Sequence, residues 1–330
     1  MRSFIRRQKQ RGVAVVTALL LTTLAITIVA SLFWQQQVQV RTLENQRLQL
    51  QTKWILRGAL DWASVVLRQE LPYTSLDQVW ATPLAETRLD QYIERERLEG
   101  EAFDASLSGN IVDATSRYNL ANLAQQGEPD PAQQAILLRL LNVLRLDTRL
   151  AQRVTIFVAQ GQRSAPAALP GQGTPGVNED EKTQLPPANG LPVPLVQVDD
   201  LLAVQGMTPA ILAQLKPFLI VLPEKTPLNV NTAPPELLAA LIPDMSLSEA
   251  GSLVARRKTA AWRDEATFRS QVRGGEGIPQ DVFDVKSSWF LVQSRIRLDR
   301  AALNAESLIQ RKPFVSSGGG GTTVIWTRQN

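Results

Sequence analysis

The sequence predicts an α+β fold in which a long N-terminal helix packs on a small antiparallel sheet, with a large all-α domain inserted into this unit. No proline interrupts the chain before Pro72, so one helix can extend over 13–70. Residues 126–284 contain short apolar-periodic segments separated by turn residues, as helices do. From Val285 onward, apolar and polar residues alternate, as in half-buried strands. The two parts of the sheet-bearing unit are then 71–125 and 285–330.

The composition excludes several chemistries. The chain contains no cysteine and no histidine, which rules out disulfides, Cys–His and Ser–His–Asp catalysis, and zinc sites that need imidazole. The net charge of +4 is concentrated in residues 1–12, which carry five basic residues and no acidic one. The remainder has 30 basic and 31 acidic residues. The positive charge therefore indicates membrane topology and argues against a nucleic-acid-binding surface.

The segment Val13 to Trp34 is long enough to cross a membrane. It holds 22 uncharged residues, and the next charged residue is Arg41, whereas about 20 residues span a bilayer core. A secretory signal peptide has a shorter apolar region, of about 7–15 residues, and a small-residue cleavage site; glutamines follow here. Because the basic flank stays in the cytoplasm, the rest of the chain is expected outside it.

Gly12 separates this basic flank from the apolar segment. A charged leader, a glycine and an immediate apolar helix resemble the signal of type IV prepilins; a plain signal anchor is the alternative. The resemblance implies cleavage between Gly12 and Val13 by a prepilin peptidase, N-methylation of Val13, and retention of the helix. Most pilins carry glutamate at the fifth mature residue, and Thr17 stands at that position here.

Beyond Trp34 the pattern is that of an amphipathic helix, with Val40, Leu43, Leu50 and Trp54 at roughly heptad spacing. One helix as far as Gln69 is about 85 Å long at ~1.5 Å per residue. An anchor followed by a separate soluble helix is the alternative. A helix half in lipid and half packed on a soluble domain resembles the pilin architecture.

Residues 105–123 predict a strand, a turn at 108–110 and a second extended segment, in which Asn119 and Asn122 hold backbone in a turn. Asp130 followed by proline predicts the start of a helical region that extends to residue 159. Its apolar stripe is expected in the core and consists of Leu137, Leu140, Leu141 and Leu144.

Residues 161–194 are rich in Gly and Pro and predict a long exposed loop. The loop contains Glu179, Asp180 and Glu181. These carboxylates are candidate calcium ligands, although a solvated run of charge is the simpler interpretation.

A weak repeat over 199–258 predicts two helix–turn–helix units that resemble helix-hairpin-helix and SAM-like modules. DNA-binding hairpins use glycine amides to hold phosphate, but the first turn has only Gly206 and the second, 243–246, has none. A structural role is therefore expected. Asn229 and Asn231 precede Thr232, the predicted N-cap of a helix entered through two prolines. The C-terminus predicts a three-stranded meander with a glycine-rich turn, VSSGGGG.

Two stretches resemble one family specifically. VDATSRYNLANL matches a D-x-x-x-R-(F/Y)-N-L-x-N-L pattern, and NVNTAP follows in a helical segment. With the prepilin-like start, the chain resembles the K-type minor pseudopilins of the type II secretion system (general secretion pathway protein K). The resemblance implies a pilin-like fold and a single-pass protein of the bacterial inner membrane with its C-terminal domain in the periplasm.

The same resemblance implies a function in protein secretion. The partners implied are the I-, J- and H-type minor pseudopilins, the major pseudopilin and the prepilin peptidase, at the tip of a pseudopilus that exports folded proteins across the outer membrane. Neither catalysis nor a required cofactor is implied. Family members often carry an acidic segment where this chain has 155–160, which lacks a carboxylate, so calcium binding is not expected there. The alternatives are a membrane-anchored, competence-type DNA-binding protein and an anchored hydrolase.

Overall fold

A computed structural model describes residues 13–69, 72–89, 105–164, 194–312 and 321–329. Its α-helices are α1 Val13–Leu67, α2 Pro131–Val143, α3 Arg149–Ser164, α4 Pro209–Leu215, α5 Pro235–Leu241, α6 Leu247–Thr259 and α7 Glu265–Gln271. Its strands are β1 Leu84–Arg88, β2 Ala105–Asp113, β3 Tyr118–Asn119, β4 Ala124–Gln125, β5 Glu128–Pro129, β6 Leu219–Ile220, β7 Leu228–Asn229, β8 Phe283–Asp284, β9 Trp289–Leu298, β10 Ala301–Lys312 and β11 Gly321–Gln329.

Helix α1 is a single element of 55 residues, which confirms the continuous helix and not an anchor followed by a separate one. At ~1.5 Å per residue it is about 80 Å long. Its buried residues begin only at Thr52 and recur as far as Leu67 at helical spacing. The C-terminal third of α1 is therefore the part that packs on the sheet.

The main sheet has five strands in the order β1-β2-β9-β10-β11, and all neighbouring strands are antiparallel. The predicted C-terminal meander is confirmed as β9, β10 and β11. Alternate residues of β9, including Phe290, Val292 and Ile296, face α1 and form a buried cluster with Leu56 and Leu60. The core therefore contains alternate residues of the strand and residues of the helix that recur every three or four positions.

The turn predicted at Ser108–Asn110 is wrong, because β2 continues through these residues. Gly109 pairs with Leu84 on one side and Ser294 on the other. A Cβ atom at this glycine would lie 2.4 Å from the carbonyl oxygen of Gln293. The glycine thus permits close approach of the neighbouring strand and does not mark a chain reversal.

Residues 114–285, which we call the helical region, lie between β2 and β9 in the chain. Their core contains the three predicted leucines of α2, Leu137, Leu140 and Leu141, whereas Leu144 packs against its edge. Asp130 caps α2 as predicted, since its carboxylate accepts hydrogen bonds from the amides of Ala132 and Gln133.

The helical stretch predicted as far as residue 159 is broken in two. Arg145, between α2 and α3, has a φ of 57°, a left-handed conformation that ends a helix. Helix α3 then continues to Ser164, so its last residues occupy the first part of the loop predicted over 161–194. Residues 165–193 of that loop lie outside the described residues.

The two predicted hairpin units differ in their helices. The first consists of a 3₁₀ helix, Val198–Ala203, and α4, with Gly206 at φ 90° between them. The second consists of α5 and α6, joined through Asp244 at φ 56°. Both turns use a left-handed residue, and only the first uses glycine for it.

The helical region meets the sheet on the face opposite α1. Ile220 and Leu222 pack on Trp289, Leu291 and Leu308, which point away from α1. This contact lies where β9 begins. The other end of the sheet, at the β9–β10 turn, is the end from which Arg300 contacts α1 near Glu44.

Candidate functional site

The first half of α1 is an exposed apolar rod. Its large apolar side chains from Val13 to Trp34 are at least half exposed. The threonine hydroxyls in this segment donate to carbonyls of the same helix; that of Thr27, for example, donates to Leu24 at 2.8 Å. By length and composition the helix can cross a membrane, and its threonines need no partner from lipid.

Thr17 occupies the position at which most pilins have glutamate. Its hydroxyl donates to the carbonyls of Val13 and Ala14, both at 3.0 Å. The side chain is neutral and is engaged within its own helix, so it offers no carboxylate to a neighbouring amine. Gly12, the predicted residue before the cut, lies outside the described residues, and Val13 is the first residue of α1.

Beyond the apolar rod, α1 reaches the soluble body in two steps. Arg300, in the turn between β9 and β10, donates to the carboxylate of Glu44 and the amide oxygen of Asn45, both at 3.1 Å. Continuous burial begins two turns later, at Thr52. The β9–β10 turn therefore lies at the end of the folded body that is nearest the apolar rod.

A buried carboxylate joins the sheet to the helical region at the opposite end. Asp113, the last residue of β2, is 1% exposed. Its Oδ1 accepts hydrogen bonds from the backbone amide and hydroxyl of Thr115, at 2.9 and 2.7 Å. Its Oδ2 accepts from Asn229 Nδ2 at 2.9 Å and from the hydroxyls of Thr232 and Ser287, both at 2.6 Å. We call these five residues the Asp113 cluster.

Five donors compensate the charge of Asp113 without a cation in the cluster. A buried carboxylate is costly unless it is paired or fully hydrogen-bonded, and hydrogen bonds to an ionised group are stronger than neutral ones. The donors come from residues far apart in the chain: Asn229 and Thr232 belong to the helical region, and Ser287 lies two residues before the start of β9. The cluster therefore fixes the angle between the helical region and the sheet.

Thr74 connects the segment after α1 to the same cluster. Its carbonyl accepts from Asn229 Nδ2 at 3.0 Å, and its hydroxyl accepts from the amide of Ser287 at 3.1 Å. The guanidinium of Arg311, on β10, donates to that hydroxyl at 2.9 Å. Three parts of the chain are thus fixed at one point.

The predicted role of Asn119 and Asn122 in holding backbone is confirmed. Asn119 holds the turn that follows it, and both side chains also hold backbone that is distant in sequence. Asn119 Oδ1 accepts from the amides of Ala121 and Leu222 at 3.1 and 3.0 Å. Asn122 exchanges two hydrogen bonds with the backbone of Thr226, at 2.8 and 3.0 Å. These side chains bind the start of the helical region to its middle.

Thr232 is not the N-cap that its position predicts. Helix α5 begins at Pro235 with Pro234 as N-cap and no side-chain capping bond. The hydroxyl of Thr232 turns instead to Asp113, because a buried carboxylate is a stronger acceptor for it than any exposed alternative. Asn231 holds the backbone of Trp262 through two hydrogen bonds, at 2.8 and 2.9 Å.

The candidate metal ligands do not form a site in the described part of the chain. Glu179, Asp180 and Glu181 lie outside it, and the residues that the structure describes include no group of three or more acidic side chains placed to hold a metal ion. Residues 155–160 form part of α3. Calcium binding by Glu179, Asp180 and Glu181 therefore stays the less favoured of the two hypotheses for these residues, beside a solvated run of charge.

One of the three basic residues in the last turn of α6 is withdrawn from solvent, whereas Arg256 and Lys258 are exposed. Arg257, on α6, is 8% exposed and donates to the carbonyl of Val230 at 2.7 Å. Burial lowers the pKa of its guanidinium to about 10. A buried arginine engaged with backbone cannot reach a phosphate, which agrees with a structural role for the unit.

Comparison with known proteins gives a consistent result. Two family models, both described as type II secretion system (T2SS), protein K, match residues 116–224 and 228–286, together about half of the chain. Type II secretion system protein K of Klebsiella pneumoniae is 28% identical, over 92% of this chain and 93% of its own length. That of Dickeya chrysanthemi is 26% identical, over 92% and 94%.

A solved structure shares the fold. A chain of the crystal structure of the GspK-GspI-GspJ complex from the enterotoxigenic Escherichia coli type 2 secretion system aligns with a TM-score of 0.61 at 22% identity. The alignment covers 88% of this chain and 99% of that chain.

Proposed function

Because this chain belongs to the type II secretion system protein K family, whose members are minor pseudopilins, we propose that it occupies the tip of a pseudopilus. There it starts or caps assembly and supports the export of folded proteins across the outer membrane. The proposal depends chiefly on one observation, an exposed apolar helix that is continuous with the folded body. Such a helix can leave lipid and enter a fibre without refolding.

Features at the two ends of the molecule support a position at the tip. Thr17 offers no carboxylate to the terminal amine of a subunit above. After cleavage, the amine of Val13 is available to a carboxylate of a subunit below. The helical region attaches at the membrane-distal end of the sheet, where Ile220 and Leu222 cover Trp289, so its bulk stands where a further subunit would be added.

In this proposal the helical region is an insertion into a pilin-like fold. Its hairpin units, around Gly206 and Asp244, contribute to one apolar core and do not bind nucleic acid. The partners are the I-, J- and H-type minor pseudopilins and the major pseudopilin. The chain is a single-pass protein of the inner membrane with its body in the periplasm. It carries out no catalysis and requires no cofactor.

Processing tests the proposal. Gly12→Val places a branched side chain at the predicted cut, and we expect it to abolish cleavage by the prepilin peptidase and secretion in a strain that lacks the native gene. Arg11→Lys, which keeps the charge of the leader, is the matched control and should be processed normally. The measurement is the size shift on an immunoblot together with the exoprotein activity in the medium. Normal processing and secretion with Gly12→Val would contradict the proposal.

A further inference from the structure

Residues 219–224, which we call the bridging segment, lie between the core of the helical region and the sheet. Leu219 is buried in the helical core, and Val221 packs against that core. The neighbours Ile220 and Leu222 point the other way and join a buried cluster with residues of β9 and β10. One extended segment therefore serves two cores with alternate side chains.

Glu224 extends this alternation to a polar contact with the sheet. Its Oε1 accepts hydrogen bonds from Nε1 of Trp289 at 3.2 Å and from Nε2 of Gln310 at 3.1 Å. Trp289 and Gln310 lie directly opposite one another on β9 and β10. A single oxygen of Glu224 thus closes the row of side chains that faces the sheet.

The register of the bridging segment decides which of its side chains face the sheet. A slip of one residue would turn Leu219 and Val221 toward the sheet and Ile220 and Leu222 toward the helical core. A backbone ladder normally prevents such a slip, but the ladder between β3 and β6 is only two residues long. The register beyond β6 therefore depends on other contacts.

Asn119 and Asn122 supply these contacts with their side chains. Asn119 Oδ1 accepts from the amide of Leu222 at 3.0 Å, and its Nδ2 donates to the carbonyl of Glu224 at 2.8 Å. Asn122 exchanges its two hydrogen bonds with the backbone of Thr226. Bonds to every second residue have the spacing of a β-ladder, so the two asparagines take the place of a neighbouring strand.

The side chain of Asn119 has no spare hydrogen-bonding capacity. It is 1% exposed, and it also contacts the amide of Ala121 at 3.1 Å and the hydroxyl of Thr226 at 3.0 Å. A primary amide has two donor hydrogens and two acceptor lone pairs, and all four are used here. Aspartate has the same shape but lacks the donors, so it could not hold the carbonyl of Glu224.

The geometry points to Asn119 as a positioning residue of the helical region. It fixes which residues of the bridging segment face the sheet, and this second attachment acts with the Asp113 cluster to set the orientation of the region. This proposal rests on the proposed function for its purpose, which is to keep the helical region over the end of the sheet where a further subunit would be added.

Spin labels measure this orientation directly. The chain has no cysteine, so two introduced cysteines are the only sites that react with the label. Arg295→Cys on β9 and Lys258→Cys on α6, both at exposed residues, report the distance between sheet and helical region. Gln152→Cys on α3, paired with Lys258→Cys, reports a distance within the helical region. Double electron–electron resonance on the full chain in detergent gives the width of each distance distribution.

Asn119→Asp tests the positioning residue itself. The variant sets a carboxylate oxygen against the carbonyl of Glu224, whereas the hydroxyl of Thr226 can turn and donate. We expect the width of the sheet-to-region distribution to roughly double, since regions joined by a small interface move relative to one another, and the distance within the region to stay the same. Asn142→Asp, at an exposed residue of α2, is the matched control and should change neither. An unchanged sheet-to-region width, or equal broadening of both distributions, would overturn the proposal.

Glu224 allows a second test that leaves the interior intact, because this residue is exposed. Glu224→Ala removes the acceptor of Trp289 and Gln310 and should broaden the sheet-to-region distribution. Glu224→Gln keeps an acceptor oxygen and should retain the wild-type width. Equal widths for the wild type and Glu224→Ala would show that the row facing the sheet does not set the orientation.

Secretion separates this proposal from the proposed function. Each variant is expressed in a strain that lacks the native gene, and exoprotein activity in the medium is measured. We expect Asn119→Asp to lower that activity and Asn142→Asp to leave it unchanged. If Asn119→Asp broadens the distribution and secretes normally, Asn119 sets the orientation but the proposed need for this orientation at the tip is wrong.

Discussion

Asp113→Asn tests how the helical region is held to the sheet. The substitution preserves the shape of the side chain and removes its charge. It also converts one acceptor oxygen into an NH₂ group. If that group replaces Oδ1, it faces the amide of Thr115; if it replaces Oδ2, it faces Nδ2 of Asn229. In either orientation two hydrogen-bond donors face each other in a buried site.

The magnitude follows from the hydrogen bonds that are lost. A hydrogen bond to a charged group contributes about 1.5–3 kcal/mol net, and a neutral one about 0.5–1.5 kcal/mol. On these figures, losing one of the five bonds outright and weakening the other four costs roughly 5–9 kcal/mol. Removing the buried charge returns several kcal/mol of its desolvation cost, so we predict a net loss of roughly 3–5 kcal/mol in the free energy of unfolding. That is a large part of the ~5–15 kcal/mol by which proteins are stable.

Urea unfolding of the full chain in detergent, followed by tryptophan fluorescence, measures this loss. With a slope of about 3 kcal/mol per M for a chain of this size, the midpoint should fall by roughly 1–1.7 M. Hydrogen exchange should rise both at the end of β2 and around Asn229. The control is Asp281→Asn, at an exposed residue with φ 61°, a conformation that asparagine adopts readily. A midpoint for Asp113→Asn within 0.3 M of the wild type, about 1 kcal/mol at this slope, would refute the reasoning.

Three further predictions concern single contacts. Gly109→Ala should cost about 1–3 kcal/mol in unfolding free energy, since its Cβ would meet the Gln293 carbonyl; thermal unfolding measures this, and an unchanged midpoint contradicts it. Burial, followed by the charge of Asp130, raises the pKa of Tyr118 well above 10, so Tyr118→Phe should leave the rise in absorbance at 295 nm that precedes the alkaline unfolding transition unchanged. Hydrogen bonds from the Ser246 side chain and then its amide lower the pKa of Glu249 below 4.5; its stabilisation of α6 is therefore complete above pH 4.5 and is lost as the pH falls through the lowered value. Protection of the first amides of α6 should fall in that range, and Glu249→Gln should abolish the pH dependence.

The parts of the fold that rest on local pattern were predictable. The absence of proline and the unbroken run of helix-forming residues predicted α1. The alternation of apolar and polar residues predicted the meander of β9, β10 and β11. Asp130 followed by proline gave the start of α2. Each signal lies within a few residues of what it determines.

The parts that rest on distant contacts were not predictable from local pattern. A glycine at position 109 predicts a turn. Gly109 instead lies within a strand, where the lack of a side chain permits the close approach of Gln293, 184 residues away in the chain. Thr232 predicts a cap and donates instead to Asp113, across 119 residues. The Asp113 cluster had one signal in the sequence. Four of its five members, all except Ser287, fall in the stretches VDATSRYNLANL and NVNTAP, which are rich in polar residues although these side chains are buried.

The N-terminus of the mature protein tests the central claim most directly. The full chain should be expressed in a strain with an active prepilin peptidase, extracted from the inner membrane, and analysed by intact-mass and N-terminal peptide mass spectrometry. The account predicts a chain that begins at N-methylated Val13 and keeps the whole of α1. A chain that still begins at Met1, or one that has lost Val13–Trp34 and is found free in the periplasm, would contradict it.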